Sequence, residues 1–360
     1  MSRIRTLAAA TTSAVLAGAL LTAPAQAAPG VAAPDSAAPP APNPAALTAT
    51  GPTGRLGGDI SNEQLARELD RVARASAGKV RISSIGTTNE GRPIKRATLG
   101  HGPTKILYVT QQHGNEPLGT PAALRALWGL GVPNTAWHRW LRDRITLDIV
   151  VRANPDGHAR DWRYNYDPDA DPEYGQAGQG YDINRYHDPA VAPADNPVPE
   201  AAAIQRLWLQ TRPDIVVDYH MQGRYISPDG RQITASILWP TNPTVSERAV
   251  DRGRQLAVLN HEALTRTLGA NVSQYPGGDY EGIARNAYGI RGSASLLVEL
   301  SDLGPAYEEF QIRSALVSML VIAQSAADGS LWRIDPDRAD AIPPRGEPAD
   351  RSPAEAREAA

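Results

Sequence analysis

The sequence predicts an α/β domain built on a mainly parallel or mixed sheet covered by helices on both faces. Two observations predict it. Residues 145–151 and 214–219 are continuous apolar runs, the pattern of strands buried on both faces rather than one. Apolar runs of strand length also alternate along the chain with segments of helical period. A third observation sets the scale: a folded body over 59–334 is within the range of one α/β domain.

The elements follow in order. Residues 61–77 read as an amphipathic helix: Ser61 and Gln64 fit a capping box, and Leu65, Leu69 and Val72 recur at spacings of four and three. Residues 80–85 and 94–99 read as strands joined by a turn at Asn89-Glu90-Gly91, and 105–110 as a compact apolar strand. Residues 118–130 are helical, with Gly131 as the stop. After the strands at 145–151 and 214–219, residues 233–239 and 295–300 are further strands. Residues 200–209, 246–268 and 305–327 read as helices, and no internal repeat is present.

The ends differ from the body. Residues 1–27 read as a secretory signal: Arg3 and Arg5 precede an Ala- and Leu-rich stretch over 7–21, and Ala25-Gln26-Ala27 is a small-x-small cleavage site. That stretch is short for a bilayer span, which takes about 20 apolar residues. Residues 28–58 form a linker in which 15 of the 23 residues from 28 to 50 are Ala or Pro. Such a segment buries too little apolar area to offset its ordering entropy. Residues 335–360, with five Pro, seven acids and four Arg, are expected to be a disordered acidic tail.

Composition excludes several functions. The 360 residues carry 36 basic and 39 acidic side chains, a net charge of -3, which speaks against a nucleic-acid binder. There is no Cys, so thiolate chemistry and Cys-ligated metal are excluded. Any metal must sit on His and carboxylate ligands.

The chemistry-bearing residues cluster just after the apolar runs. His113 and Glu116 follow 105–110, Asn154 and Asp156 follow 145–151, His220 follows 214–219, and Glu299 closes 295–298. In open α/β sheets, ligands bind outside the carboxyl ends of the strands. His113 and Glu116, three residues apart, lie on one side of a turn or helix start, and His220 supplies a third ligand from another strand end. Two His and one carboxylate with an open fourth position make a catalytic zinc pattern. His-x-x-Glu alone is common; the strand-end placement of the other groups carries the reading. Glu299 is then the candidate general base and Arg163 the candidate support for an oxyanion. Asn184 and Arg185 offer an amide and a guanidinium fork for a carboxylate, and Asp182 an acceptor behind a ligating His. His101, His138, His158, His187 and His261 read as surface or core histidines.

Taken together, His113-x-x-Glu116, Asn154-Pro155-Asp156-Gly157, Trp162-Arg163, Asp182-x-Asn184-Arg185, His220 and Glu299 resemble the zinc metallocarboxypeptidases, peptidase family M14, in order and approximate spacing. Glu90-Gly91-Arg92-Pro93-Ile94 is similar to that family's early strand motif, so the resemblance covers roughly residues 60–325. It implies a three-layer α/β/α sandwich around a mixed, mostly parallel, roughly eight-stranded sheet with one Zn2+. It implies His113, Glu116 and His220 as metal ligands, Glu299 as general base, Arg163 at the oxyanion, and Asn184 and Arg185 on the substrate's terminal carboxylate. Asp182 would orient a ligand. The family's mobile Tyr would be Tyr280 or Tyr288, neither of which is spaced as in the digestive enzymes.

The expected function is therefore a secreted, extracellular, monomeric zinc carboxypeptidase acting on peptides or proteins with a free C-terminus, without nucleic acid or lasting membrane association. Two other readings stay open. His-Gly-Asn-Glu also resembles the aspartoacylase and succinylglutamate desuccinylase branch of the same fold, which hydrolyses N-acyl amino acids; cell-wall peptides are a related substrate. A non-catalytic secreted binding protein is the third. The acidic loop at 166–180 either shapes the site rim, binds a cation or is simply solvated.

Overall fold

The computed structural model describes residues 56–349. The signal, residues 28–55 of the linker, and 350–360 lie outside the described residues.

The chain opens on helix α1 (Asn62–Ala75), capped by Ser61 in the expected capping box with Gln64. Strands β1 (Val80–Thr87), β2 (Pro93–Gly100) and β3 (Thr104–Thr110) follow, then α2 (Gly119–Gly131), α3 (Ala136–Arg142), β4 (Ile145–Val150) and α4 (Pro155–Ala159). A small hairpin, β5 (Gly175–Gln176) and β6 (Gly180–Tyr181), leads to α5 (Pro199–Thr211), β7 (Ile215–Gln222), β8 (Tyr225–Ile226) and β9 (Ala235–Leu238). The chain ends with α6 (Glu247–Leu268), β10 (Val272–Gln274), α7 (Ala284–Ile290), β11 (Ala294–Ser301), α8 (Glu308–Ala327) and β12 (Glu347–Pro348).

Eight strands form one mixed sheet in the order β1-β2-β4-β3-β7-β11-β9-β10. Its centre, β4, β3, β7 and β11, is parallel throughout. β2 and β9 flank that centre in antiparallel pairing. Alternate residues of the central strands serve opposite cores. Ile106, Tyr108, Val217 and Tyr219 join α1, α2, α6 and α8 on one face. Leu107, Val109 and Val216 meet Ile204, Leu207 and Trp208 of α5 and Tyr288 of α7 on the other. Each such side chain contributes about 1.5–3 kcal/mol on burial, which lets this Cys-free chain hold its fold by packing. Residues Pro305–Ala327 are long and apolar enough to cross a membrane by length and composition, but most of that window is buried inside the fold as a core helix.

The structure departs from the sequence reading in three places. Strand β7 continues through His220 to Gln222 instead of ending at Tyr219. The reason is that Asp218, His220 and Gln222 are buried with hydrogen-bond partners, so polarity does not end the strand. Helices α3 and α7 are only seven residues long, too short for a period to show. The third departure is the tail. Residues 335–349 are not a disordered tail but part of the body, which therefore runs to 349 rather than 334. Ala339 and Ile342 are buried in the main core. Gln274 N donates to Pro343 O at 2.7 Å, and β12 pairs with β8. Two apolar anchors suffice here, and averaging composition over the whole tail hides them.

The acidic stretch 166–180 forms the β5–β6 hairpin, pinned where Asn165 Oδ1 accepts from Tyr181 N and Asn165 Nδ2 donates to Glu200 Oε2 at 3.0 Å. Glu200 is fully buried, and burial pushes its carboxyl from 4.5 up to about 7. A carboxyl raised on folding favours the folded state while protonated, so its contribution falls as pH rises from 4.5 through about 7. Glu200→Gln keeps an acceptor for Asn165 and removes that slope. Urea melts should show the variant gaining up to about 3 kcal/mol on the wild type between pH 5 and pH 8. A difference that does not change with pH would contradict it.

Candidate active site

The four parallel central strands deliver their C-terminal ends to one edge of the sheet. β3 ends at Thr110, and Gln111 follows with a left-handed φ of 57° while fully buried. Such a conformation costs about 1–3 kcal/mol for a non-Gly residue. Gln111 is held in it by donating to Gly114 O at 2.7 Å and by accepting from Thr120 Oγ1 and Arg152 Nε at 2.7 and 2.8 Å. The turn brings His113 and Glu116 over the strand ends. Gly114 is needed because a Cβ there would fall 2.1 Å from Gly157 C and 2.5 Å from Trp162 O. Gly114 N donates to Arg163 O, so this contact also places Arg163.

The Asn154-Pro155-Asp156-Gly157 and Glu90-Gly91-Arg92 motifs meet beside this turn and are structural. Asp156 accepts from Thr88 Oγ1, Glu90 N and Arg92 Nη1 at 2.9, 3.1 and 2.7 Å. Asn154 caps α4 through Gly157 N and donates to Gln112 O and Tyr164 O.

His113, Glu116 and His220 converge as expected, and all three are buried. Glu116 Oε1 lies 2.7 Å from His113 Nδ1, and Glu116 Oε2 lies 2.8 Å from His220 Nδ1. The two Nδ1 atoms are 3.0 Å apart. Behind them, His113 Nε2 faces Asp182 Oδ1 at 3.0 Å and His220 Nε2 faces Asp218 Oδ2 at 2.8 Å. Carboxylates there assign the Nε2–H tautomer to both rings. Both Nδ1 lone pairs and the Glu116 carboxylate then point at one spot, an all-acceptor cluster that demands a cation. The same demand shows in titration. Burial works against a charged His220, but Asp218 and Glu116 outweigh it and push its pKa well above the ordinary value. Burial likewise opposes ionised Glu116, and His113 and His220 outweigh it and hold it low.

The remaining predicted residues lie around this cluster. Arg163 donates to Glu116 Oε1 at 3.2 Å and to Asp182 Oδ2 at 3.0 Å. Glu299 sits opposite His220 in the β7–β11 register. Its Oε2 is buried without a hydrogen-bond partner, and burial pushes its carboxyl up to about 8, Glu116 and Asp218 adding to the rise and His220 and Arg163 opposing it. Asn184 Nδ2 is 3.2 Å from His220 Nε2, and Asn184 Oδ1 accepts from Ala284 N. Arg185 Nη1 donates to Asn184 O. A cleft of about 420 Å³ is lined by His113, Glu116, Arg163, Asn184, Arg185 and Glu299 together.

Of the two tyrosine candidates, Tyr288 does not lie where expected. Tyr288 is fully buried in the second core, its OH 2.9 Å from His187 Nδ1, and cannot reach the cleft. Tyr280 packs against Tyr174 with ring centroids 4.8 Å apart, outside the cleft lining, whereas Tyr275 lines it. The sequence reading also missed Asp218, Arg285 and Arg345. Asp218 had a signal: two residues before His220 on a strand, it shares that residue's face.

A family model described as zinc carboxypeptidase matches residues 65–304. The chain belongs to the zinc carboxypeptidase family. Its fold is similar to carboxypeptidase A from Helicoverpa armigera, with a TM-score of 0.61 at 21% identity over 79% of this chain and 78% of that one. It is also similar to a metallo-carboxypeptidase from Burkholderia cenocepacia, with a TM-score of 0.54 at 19% identity over 74% and 69% of the two chains. Bovine thrombin-activatable fibrinolysis inhibitor in complex with tick carboxypeptidase inhibitor gives 0.56 at 17% identity, over 75% and 97%. These identities speak to fold alone. Comparison with curated proteins finds no match.

As a zinc carboxypeptidase the chain has a cluster that fits its metal. Three ligands about 2.0–2.1 Å from a tetrahedral ion lie ~3.3 Å from one another, a few tenths of an ångström more than the separations of 2.7–3.0 Å found here. Asp218→Asn keeps the size of the group behind His220 but no longer fixes its tautomer. Zinc affinity should fall by about 10–100-fold in competition with a chelator. Unchanged affinity would remove Asp218 from the metal site.

Proposed function

We propose that this zinc carboxypeptidase binds one Zn2+ on His113, Glu116 and His220 and hydrolyses the last peptide bond of substrates with a free C-terminus. The observation that carries the reading is the convergence of that ligand set with Glu299, Arg163 and Arg185 on one cleft at the ends of parallel strands. Bound zinc would supply a Lewis acid for the scissile carbonyl and lower the pKa of a water to about 7.

The chain's own residues do the rest. Arg185, whose guanidinium has no carboxylate within ion-pair distance among the described residues, receives the terminal carboxylate with Asn184 beside it. That contact sets the scissile bond over the ligand cluster. Glu299 takes one proton from the attacking water and passes it to the departing amine as the C–N bond breaks. Its unpartnered Oε2 is free to accept that proton. Arg163, fixed by Glu116 and Asp182, donates to the charge that develops on the carbonyl oxygen. The secretory pattern of residues 1–27 supports export of the enzyme, and its near-neutral charge supports a peptide substrate rather than nucleic acid.

Arg185→Ala tests the direction of cleavage. It should raise KM for free-acid peptides by at least about tenfold, the worth of a charged hydrogen bond. C-terminally amidated peptides, poor substrates from the start, should be little affected. An equal effect on both classes would remove Arg185 from the terminal carboxylate.

A further inference from the structure

Four guanidiniums line the cleft: Arg163, Arg185, Arg285 and Arg345. Arg163 is paired with Glu116 and Asp182. Arg345 stacks over Tyr225 at 3.6 Å and donates to Gln222 Oε1 at 3.1 Å. Arg185 is assigned above to the terminal carboxylate. Arg285 is left over. Only 2% of it is exposed, and no carboxylate among the described residues lies within ion-pair distance of it.

Its hydrogen bonding is incomplete. Nη2 donates to Thr241 Oγ1 at 3.1 Å and to Gly278 O, while Nε is buried with no partner. Arg152, exposed to the same 2%, donates from all three nitrogens. A buried cation left short of partners is expensive to keep. Burial pulls the Arg285 pKa down to about 10, Tyr275 opposing, so the group is still charged at neutral pH.

Its position is also informative. Ala284 N, one residue earlier, donates to Asn184 Oδ1, so Arg285 is anchored next to Asn184-Arg185. The guanidinium packs flat on Gly277, where a Cβ would fall 2.5 Å from Nη2 and 2.9 Å from Cζ. Ile283 and Leu297 supply apolar wall to the same cleft. A short aliphatic stem ending in a carboxylate suits that lining, and a basic side chain would meet like charge.

We propose that the terminal residue this enzyme removes is acidic, Asp or Glu, and that Arg285 is the residue that selects it. The proposal rests on the carboxypeptidase reading above. Arg285, whose Nη2 is taken by Thr241 and Gly278, gives the substrate's side-chain carboxylate a charged donor through Nη1, while Arg185 holds the terminal one.

The test uses the full-length, zinc-loaded protein and N-acylated dipeptides that differ only in the terminal residue: Glu, Asp, Gln, Leu, Phe or Arg. For the wild type, kcat/KM for Glu should exceed that for the isosteric Gln by roughly 10- to 100-fold, and Leu, Phe and Arg should also fall below Glu. In Arg285→Met the Glu-to-Gln ratio should drop to about one. The Glu-against-Gln comparison in the wild type needs no variant, so it decides the proposal even if that variant fails to fold. Gln, Leu, Phe or Arg released as fast as Glu overturns the proposal while leaving the carboxypeptidase reading intact. A ratio that survives in a folded Arg285→Met protein removes Arg285 as the selector. Hydrolysis of none of the dipeptides overturns both readings.

Discussion

Glu299→Gln lowers kcat by about 10²–10⁴-fold, the range general acid–base catalysis supplies, and leaves the zinc content at one per chain. The substitution preserves volume in a fully packed strand, and Glu299 belongs to none of the ligand contacts. What it removes is the proposed acceptor for the water proton. The wild type should also show an acid limb in kcat/KM. Glu299 must be ionised to act, so activity falls as pH falls through its pKa. Burial puts that pKa at about 8 against 4.5 for an ordinary glutamate, and a nearby divalent cation pulls it back down. The limb therefore lies between those values. A rate that stays flat from pH 8 down to pH 4, or a Gln variant with substantial turnover, would take the base role from Glu299.

Glu116→Ala has the second large effect, and it acts through the metal. Among the described residues Glu116 alone touches both imidazoles, and it also accepts from Met221 N at 3.0 Å and from Arg163. Without it, two imidazoles and a guanidinium held by Asp182 alone face the place where a dication must bind. Zinc affinity should fall by more than the ~100-fold upper range for a group behind a ligand. Dialysed protein should contain almost no zinc by elemental analysis, and peptide hydrolysis should fall to background. A dialysed variant that retains one zinc per chain would show that the ion is held elsewhere.

Much of this architecture was legible in the sequence. Continuous apolar runs marked the central strands, because strands buried on both faces need no polar alternation. The ligand triad was legible because each member follows such a run. The same rule ended β7 too early, since it reads a polar residue as the end of a strand. Asp218 was overlooked for that reason: it sits inside the run, and only the pairing with His220 explains how a buried carboxylate is tolerated there. Tyr288 was misread because sequence order says nothing of depth; its ring is fixed between His187 and Trp208. Arg285 and Arg345 were two among 33 arginines, and nothing local distinguishes them. Arg345 reaches the cleft only because Ile342 anchors the segment before it, a long-range contact that composition cannot show.

The most direct test of the account is mass-spectrometric profiling of a peptide library exposed to the purified enzyme, with and without chelator. The account predicts loss of single residues from free C-termini, at most slow cleavage of amidated peptides, abolition by chelator and recovery on adding zinc. Internal or N-terminal cleavage, or hydrolysis that survives the chelator, would contradict it.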